Sequence, residues 1–161
     1  MPRQDNEIRV TLSVLDRLVD YEPEKSREAA MSRTKSLRYL KDTVKRDLEW
    51  LLNTRQSAGK LPPNLKELNK SLAAYGLPDF SNVGLKNDGD RNRLSRALES
   101  VIEIFEPRLK DVTVSLEPRG ETERILHFRI DGRLKVEPAP EPVTFDTALD
   151  VNSGQYNVKG D

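Results

Sequence analysis

The chain has 161 residues and a mass of 18.4 kDa, enough for one domain with its own core and short for two. It carries 27 basic and 27 acidic residues, so its net charge is zero. It has no cysteine and one histidine, His127, which excludes a disulfide scaffold, thiol catalysis and a histidine-rich metal site. No apolar run approaches the about 18 residues of a membrane span. The charged N-terminus also lacks the apolar stretch of a secretory signal. We therefore expect a cytoplasmic protein that does not insert into membranes and has no cofactor.

A short amphipathic element near the N-terminus comes first. Its apolar residues recur at helical spacing, and Ser13 is a candidate cap: Leu12, Leu15, Leu18 and Val19. About two helical turns are not stable alone in water, so the sequence predicts that this segment docks in a groove of a partner. On this hypothesis, deleting residues 1 to 20 weakens partner binding and barely changes the melting temperature.

Residues 21 to 34 contain Pro23 and many charges but few apolar groups, which predicts a flexible linker. The chain is therefore divided into an N-terminal segment with its linker, 1–34, and a single α+β domain, 35–161.

Three further helices are predicted. The strongest spans Ser36 to Arg55, with its first serine as the candidate N-cap and apolar residues at steps of three and four. A shorter one spans Leu65 to Tyr75 and ends at Gly76. The last runs from about Asp90 to Phe105, because Pro107 disfavours helical backbone in the residue before it.

After Pro107 the apolar period changes from 3.6 to two, which predicts an antiparallel sheet with one buried face. Alternating apolar residues occupy the stretches 112–116, 126–130, 134–136, 143–151 and 155–158. The predicted fold class is α+β, with N-terminal helices followed by a small antiparallel β-sheet.

Asp131-Gly132 has the composition of a tight hairpin turn. A two-residue loop would set Ile130 opposite Arg133, whereas a three-residue loop brings Ile130 and Leu134 to the same face. Because a one-residue slip turns every side chain to the other face, we predict a bulged three-residue turn here. Downstream, Pro138, Pro140 and Pro142 predict a stiff, extended spacer.

The charges are unevenly distributed. Residues 25–46 hold eight basic and two acidic residues, an excess of six, whereas 136–161 holds five acids and one base. Such asymmetry marks either an interaction surface or a solvated helix face. A nucleic-acid module stays open as a hypothesis, weakly supported because only Tyr39 interleaves the basic stretch; steeply salt-dependent duplex binding would favour it.

A muramidase-type glycoside hydrolase is the enzymatic alternative, since such enzymes use two carboxylates. Glu99, Glu103 and Glu106 are candidates on one charged helix, but 27 acids make any pairing unspecific. His127 alternates with apolar neighbours and should point away from the core. We therefore predict no catalytic residues and no metal site.

The tripeptide Glu106-Pro107-Arg108 lies where helix is predicted to give way to sheet. Proline restricts the backbone, so the flanking acid and base have a defined orientation. Arginine binds carboxylates in a bidentate manner. The tripeptide is either a helix stop with an exposed ion pair, worth under about 1 kcal/mol, or a rigid contact to a partner.

This tripeptide and the strand 112–116 are similar to the signature of the lysozyme-like baseplate wedge proteins of contractile phage tails. More closely, the chain resembles the TssE family of type VI secretion baseplate subunits. The stretches that carry the resemblance are spread from Ser13 to Val158: SVLDRL (13–18), DLEWLLNTR (47–55), YGLPD (75–79) and VTFDT (143–147).

The resemblance implies a structural wedge subunit in a large hexagonal baseplate. Its implied partners are TssF and TssG, the sheath proteins TssB and TssC, and TssK as a further candidate, with no nucleic acid. It also implies a sheet like the sheath "handshake" domain, in which neighbours share strands. The predicted partner-binding residues are Leu12, Leu15, Leu18, Glu106, Pro107, Arg108, Val143 and Phe145. A charge reversal at Arg108 is expected to disrupt assembly while the domain stays folded.

Overall fold

The computed structural model describes residues 10, 12–19, 23–24, 32–57, 59, 61–78, 88–117 and 125–160. The helices are α1 (Val14–Leu18), α2 (Arg33–Asn53) and α3 (Asp88–Phe105), with two 3₁₀ turns between the last two, Leu68–Lys70 and Leu72–Ala74. The strands are β1 (Leu109–Leu116), β2 (Ile125–Leu134), β3 (Glu141–Asp150) and β4 (Gln155–Gly160). They form one antiparallel sheet in the order β1-β2-β3-β4, which confirms the predicted α+β class.

Helix α2 begins earlier than predicted. Its N-cap is Ser32, whose side chain accepts a hydrogen bond from the backbone of Lys35, whereas Ser36 is buried inside the helix. The predicted cap at Ser36 is therefore wrong. Residues 33–35 are Arg-Thr-Lys, so the first turn carries no apolar residue from which a pattern could be read.

The predicted helix at 65–75 is also wrong, because Ser71 interrupts it. Ser71 has an extended backbone, and its side chain accepts from Ala73, so the segment forms two separate 3₁₀ turns. Leu65 and Leu72 consequently lie exposed and share no buried face.

Gly76 then returns the chain to the end of α2 with φ +103°. A Cβ there would lie 2.5 Å from the Thr54 carbonyl oxygen, so only glycine fits. Leu77 donates to that same carbonyl at 2.8 Å, which ties this segment to α2.

Strand β2 runs straight through the predicted hairpin at Asp131-Gly132. Asp131 pairs with Thr113 on one side, and Gly132 pairs with Val143 on the other. Gly132 is buried in the inward position of the strand, close to Lys110 of β1. The predicted turn is therefore wrong. Because glycine has no side chain, Gly132 interrupts the alternation of apolar and polar residues although the strand continues through it.

The prolines form a reversal instead of an extended spacer. Residues 135–140 connect β2 to β3 through a cis peptide at Glu137-Pro138, and Pro142 is already inside β3, opposite Arg133. Val136 follows β2 and belongs to none of the four strands.

The core lies between the two long helices and one face of the sheet. Its fully buried side chains come from all these elements: Val44, Leu48, Leu51, Leu94, Leu98, Ile102, Leu126, Phe128, Ile130 and Leu134. Phe128 and Tyr156 pack edge to face with ring centroids 5.9 Å apart. His127 is exposed on the opposite face, where the alternation predicts it.

Candidate functional site

The Glu106-Pro107-Arg108 tripeptide joins α3 to β1. The Glu106 backbone continues the helical bonding to Ile102 at 2.8 Å, and the amide of Leu109 donates to the Glu106 carbonyl at 3.1 Å. Glu106 is only 3% exposed. Arg108 donates to it through Nε to Oε1 at 2.6 Å and Nη2 to Oε2 at 2.5 Å. The bidentate pair therefore forms within the chain and is buried, unlike the exposed ion pair that the sequence suggested, and its role in a partner contact stays a prediction.

Arg108 also reaches α2. Its Nη2 lies 2.5 Å from Asp47 Oδ2, and its Nη1 donates to the Thr43 hydroxyl at 3.5 Å. Burial lowers the pKa of Arg108, but the hydrogen bonds and charges of Glu106 and Asp47 outweigh it and raise that pKa above its ordinary value. The guanidinium is thus permanently charged and held from two sides.

Helix α1 packs beside Arg108, but its buried face is the polar one and its apolar face is exposed, the reverse of the prediction. Its buried residue is Asp16, while Leu15 and Leu18 are 53% and 75% exposed. Ser13 caps the helix as predicted: the Asp16 amide donates to Ser13 Oγ at 3.2 Å, and that hydroxyl donates to Asp16 Oδ2 at 2.5 Å. Leu12 is partly buried against the core, so α1 docks on its own domain.

Asp16 is bound by Arg46 of α2, whose Nη2 lies 3.0 Å from Oδ1; Arg108 Nη1 lies 3.9 Å from Oδ2. Arg46 also pairs with Asp47 at 2.7 Å, and its guanidinium lies 5.0 Å from the centre of the exposed Trp50 ring. We call these five residues the charged cluster: Asp16, Arg46, Asp47, Glu106 and Arg108.

Three members of the charged cluster, Asp16, Arg46 and Asp47, were not predicted. Asp16 had a local signal, because Ser13-x-x-Asp16 is the spacing of a capping box. Arg46 and Asp47 had none, since their partners on other elements lie 30 and 61 residues away in the sequence, and on α2 they have the pattern of ordinary polar residues.

The structure places Val143 and Phe145 apart from this site. Both are buried on the core face of β3, which is paired with β2 on one side and β4 on the other. In the free chain they pack the core.

The outer strands of the sheet are covered by polar side chains of the helices. On β4, Asn53 accepts from the Tyr156 amide at 2.9 Å and donates to its carbonyl at 2.8 Å, and Glu49 accepts from Val158 at 3.4 Å. On β1, Glu99 accepts from the Val114 amide at 2.8 Å, and Ser95 donates to its carbonyl at 2.8 Å. Four residues of helix rise about 6 Å and two residues of strand about 6.7 Å, so Glu49 and Asn53 reach alternate residues of β4, whereas Ser95 and Glu99 both bind Val114 of β1.

Two of the three candidate hydrolase carboxylates are engaged in structural contacts. Both oxygens of Glu106 accept from Arg108, Glu99 binds the backbone of β1, and Glu103 is exposed. Within the described ranges, no three acidic or histidine side chains are grouped as metal ligands. Nor is any described helix both long and apolar enough to cross a bilayer.

These features define a small structural domain whose charged residues hold three segments of one chain together. Residues 38–139 match the family model of the baseplate wedge protein gp25. That is more than half of the chain, so the chain belongs to the baseplate wedge protein family and has a structural role in a baseplate, as the resemblance predicted.

One similar solved chain comes from a structure described as the baseplate complex from the type VI secretion system. It has 21% identity and a TM-score of 0.47, over 69% of this chain and 94% of that one. No curated protein gives a significant match.

Proposed function

We propose that this chain is a TssE-type wedge subunit of a type VI secretion baseplate, working in the cytoplasm. In this role it docks TssF and TssG, belongs to a hexagonal assembly that includes TssK, and links the baseplate to the TssB–TssC sheath. The observation that carries the proposal is the match of residues 38–139 to the baseplate wedge family, and the arrangement of α1, which buries a carboxylate and turns its leucines outward, supplies a candidate contact surface.

The proposed wedge contact is the surface around the charged cluster. It comprises the outward residues of α1, the exposed Pro107 and the exposed ring of Trp50. Apolar side chains exposed on a short helix bury their area favourably when a second apolar helix packs on them. Glu106 and Arg108 support this surface from beneath, because they hold α1, α2 and the start of β1 in one arrangement.

The contact is tested by co-purifying a tagged chain with TssF and TssG. Leu15→Glu with Leu18→Glu changes only exposed side chains, so the fold is retained and recovery of TssF and TssG is expected to fall about tenfold or more. Asp88→Ala, at an exposed position at the start of α3, is the matched control. Equal recovery with the leucine variant and the control would contradict the proposed contact.

Strand sharing with the sheath is the second part of the proposal. An added strand pairs with the backbone of an outer strand. Here it must first displace Asn53 and Glu49 from β4, or Ser95 and Glu99 from β1. Phe145, which pairs with Gly160, would contribute indirectly by holding β3 beside β4, and Val143 by holding β3 beside β2.

The absence of cysteine makes the sheet edges directly testable. Single cysteines at Lys159 on β4 and Ser115 on β1 are exposed crosslinking sites, and His127→Cys in the middle of the sheet is the control. Strand sharing predicts crosslinks to TssB or TssC from one outer strand and far fewer from position 127. Equally low yields from all three positions would contradict it.

A hydrolase is disfavoured, because catalysis by two carboxylates requires one of them to donate a proton. Glu106 instead forms a bidentate pair with Arg108. We expect no peptidoglycan turnover by the purified chain, and turnover that is lost in Glu103→Gln would overturn the structural proposal.

A further inference from the structure

Helix α1 buries its acidic residue and exposes its apolar residues, whereas an ordinary amphipathic helix does the opposite. The side chain of Asp16 is fully buried, whereas Val14 and Leu18 are more than two-thirds exposed. A five-residue helix has no stability of its own, and a buried carboxylate is tolerated only when it is paired. The position of α1 therefore depends on the partners of Asp16.

Those partners belong to different parts of the chain. Arg46 lies on α2 and Arg108 immediately precedes β1, while Ser13 belongs to the cap of α1 itself. One carboxylate thus joins the N-terminal segment to two elements of the body. Burial raises the pKa of Asp16, but the hydrogen bonds from Ser13 and Arg46 outweigh it and lower that pKa, so Asp16 is charged at neutral pH.

The charged cluster does not need Asp16 for its own balance. It has three carboxylates and two guanidinium groups, a net charge of −1, and without Asp16 the two acids and two bases match. Arg46 keeps Asp47, and Arg108 keeps Glu106 and Asp47. Loss of Asp16 should therefore release α1 and leave the helix–sheet body intact.

We propose that Asp16 is a positioning residue for the wedge contact. It fixes α1 on the charged cluster so that Val14, Leu15 and Leu18 present a preorganised apolar surface to a helical segment of TssF or TssG. This inference rests on the proposed function for the identity of the partner, but the positioning itself is a property of the isolated chain.

The first test measures amide hydrogen exchange in the isolated full chain. The amides of Arg17 and Val19 donate to Ser13 and Leu15 at 3.1 Å, so their exchange reports whether α1 is formed. Asp16→Asn and Asp16→Ala are expected to speed exchange at both amides about tenfold or more, while amides of β2 keep their protection. Asp88→Ala serves again as control. Unchanged exchange at Arg17 and Val19 in both Asp16 variants would overturn the positioning role.

The second test measures capture of TssF and TssG by the same variants. Recovery is expected to fall in proportion to the release of α1, with Asp16→Asn between wild type and Asp16→Ala. Faster exchange with undiminished capture would overturn the link between Asp16 and the contact and leave the proposed function standing. Failure of the wild-type chain to capture either protein would instead overturn the proposed function, and the exchange test would still decide the role of Asp16.

Discussion

The guanidinium group of Arg108 joins three elements of the chain. It pairs with Glu106 after α3, with Asp47 on α2 and, more distantly, with Asp16 on α1. An exposed ion pair contributes under about 1 kcal/mol, but removing one partner of a buried pair costs about 3–5 kcal/mol because it leaves an unpaired charge. Glu106 is buried, so the higher range applies, reduced somewhat because Arg108 is partly exposed.

Arg108→Met is therefore predicted to lower the free energy of unfolding by about 3 kcal/mol, measured by urea denaturation. Arg129→Met is the control, since Arg129 pairs with Asp146 in an exposed position and its loss should barely change the free energy of unfolding. The idea fails if the two variants are equally stable. The expectation that charge reversal at Arg108 leaves the fold intact is accordingly replaced by this prediction.

Asp16 predicts how the docking of α1 depends on pH. Its pKa is lowered from 3.8, so the folded chain favours the charged form and gains stability from it above the unfolded pKa. That contribution is lost as pH falls below 3.8 and through the folded-state value. Exchange-corrected protection of Arg17 and Val19 should be constant from neutral pH to about 4 and then decline. Asp16→Asn should show no such decline over the same range.

At the scale of elements, α2 and α3 do more than bury their apolar faces. Each also turns polar residues toward an outer strand and satisfies its backbone, as Asn53 does for Tyr156 and Glu99 for Val114. Unpaired strand edges invite association with other chains, and natural sheets commonly cover them. A partner strand must therefore compete with hydrogen bonds that already exist.

Asn53 allows the two bonds at Tyr156 to be separated. Asn53→Asp keeps the acceptor for the Tyr156 amide, so that amide should stay protected from exchange. Asn53→Ala removes it, and exchange of that amide should rise about tenfold. Asn92→Ala, at an exposed position on α3, is the control. Equal protection in the Asp and Ala variants would show that the helix itself, rather than the side chain, shields the strand.

At the scale of the whole molecule, residues 12–19 belong to the folded body. Leu12 packs on the core and Asp16 enters the charged cluster, although both precede the predicted linker. The sequence predicted that this segment docks on a partner protein, because the spacing of its leucines is visible in the sequence. The contacts of Asp16 with Arg46 and Arg108 are not.

Deletion of residues 1–19 is therefore predicted to lower the melting temperature by about 5 °C. The expected loss in the free energy of unfolding is about 1–2 kcal/mol, and each kcal/mol corresponds to roughly 2–4 °C for a chain of this size. Calorimetry provides the measurement, with Leu15→Glu plus Leu18→Glu as a control that keeps Asp16. A truncated chain that melts with the wild type would restore the original expectation that this segment only binds partners.

Much of the fold could be predicted because local patterns decide it. The 3.6-residue period marks α2 and α3, Pro107 ends the second of them, and the two-residue period marks the strands. Prediction failed where a residue type is compatible with two different local structures. Asp131-Gly132 suits a turn, but pairing on both sides of β2 makes it strand, and Ser71 suits a helix surface but caps a separate turn.

The sequence by itself determined the α+β class, the two long helices, the buried face of the sheet and the family. These depend on periodicity and on residue order, which are local or countable properties. Only the tertiary structure decided that Arg108 faces inward, that α1 buries its acid and exposes its leucines, and that helices cover both outer strands. Each of these depends on charged or polar groups that meet across 15 to 109 residues of sequence, and such pairings leave no periodic trace because their partners are brought together only by the packed core.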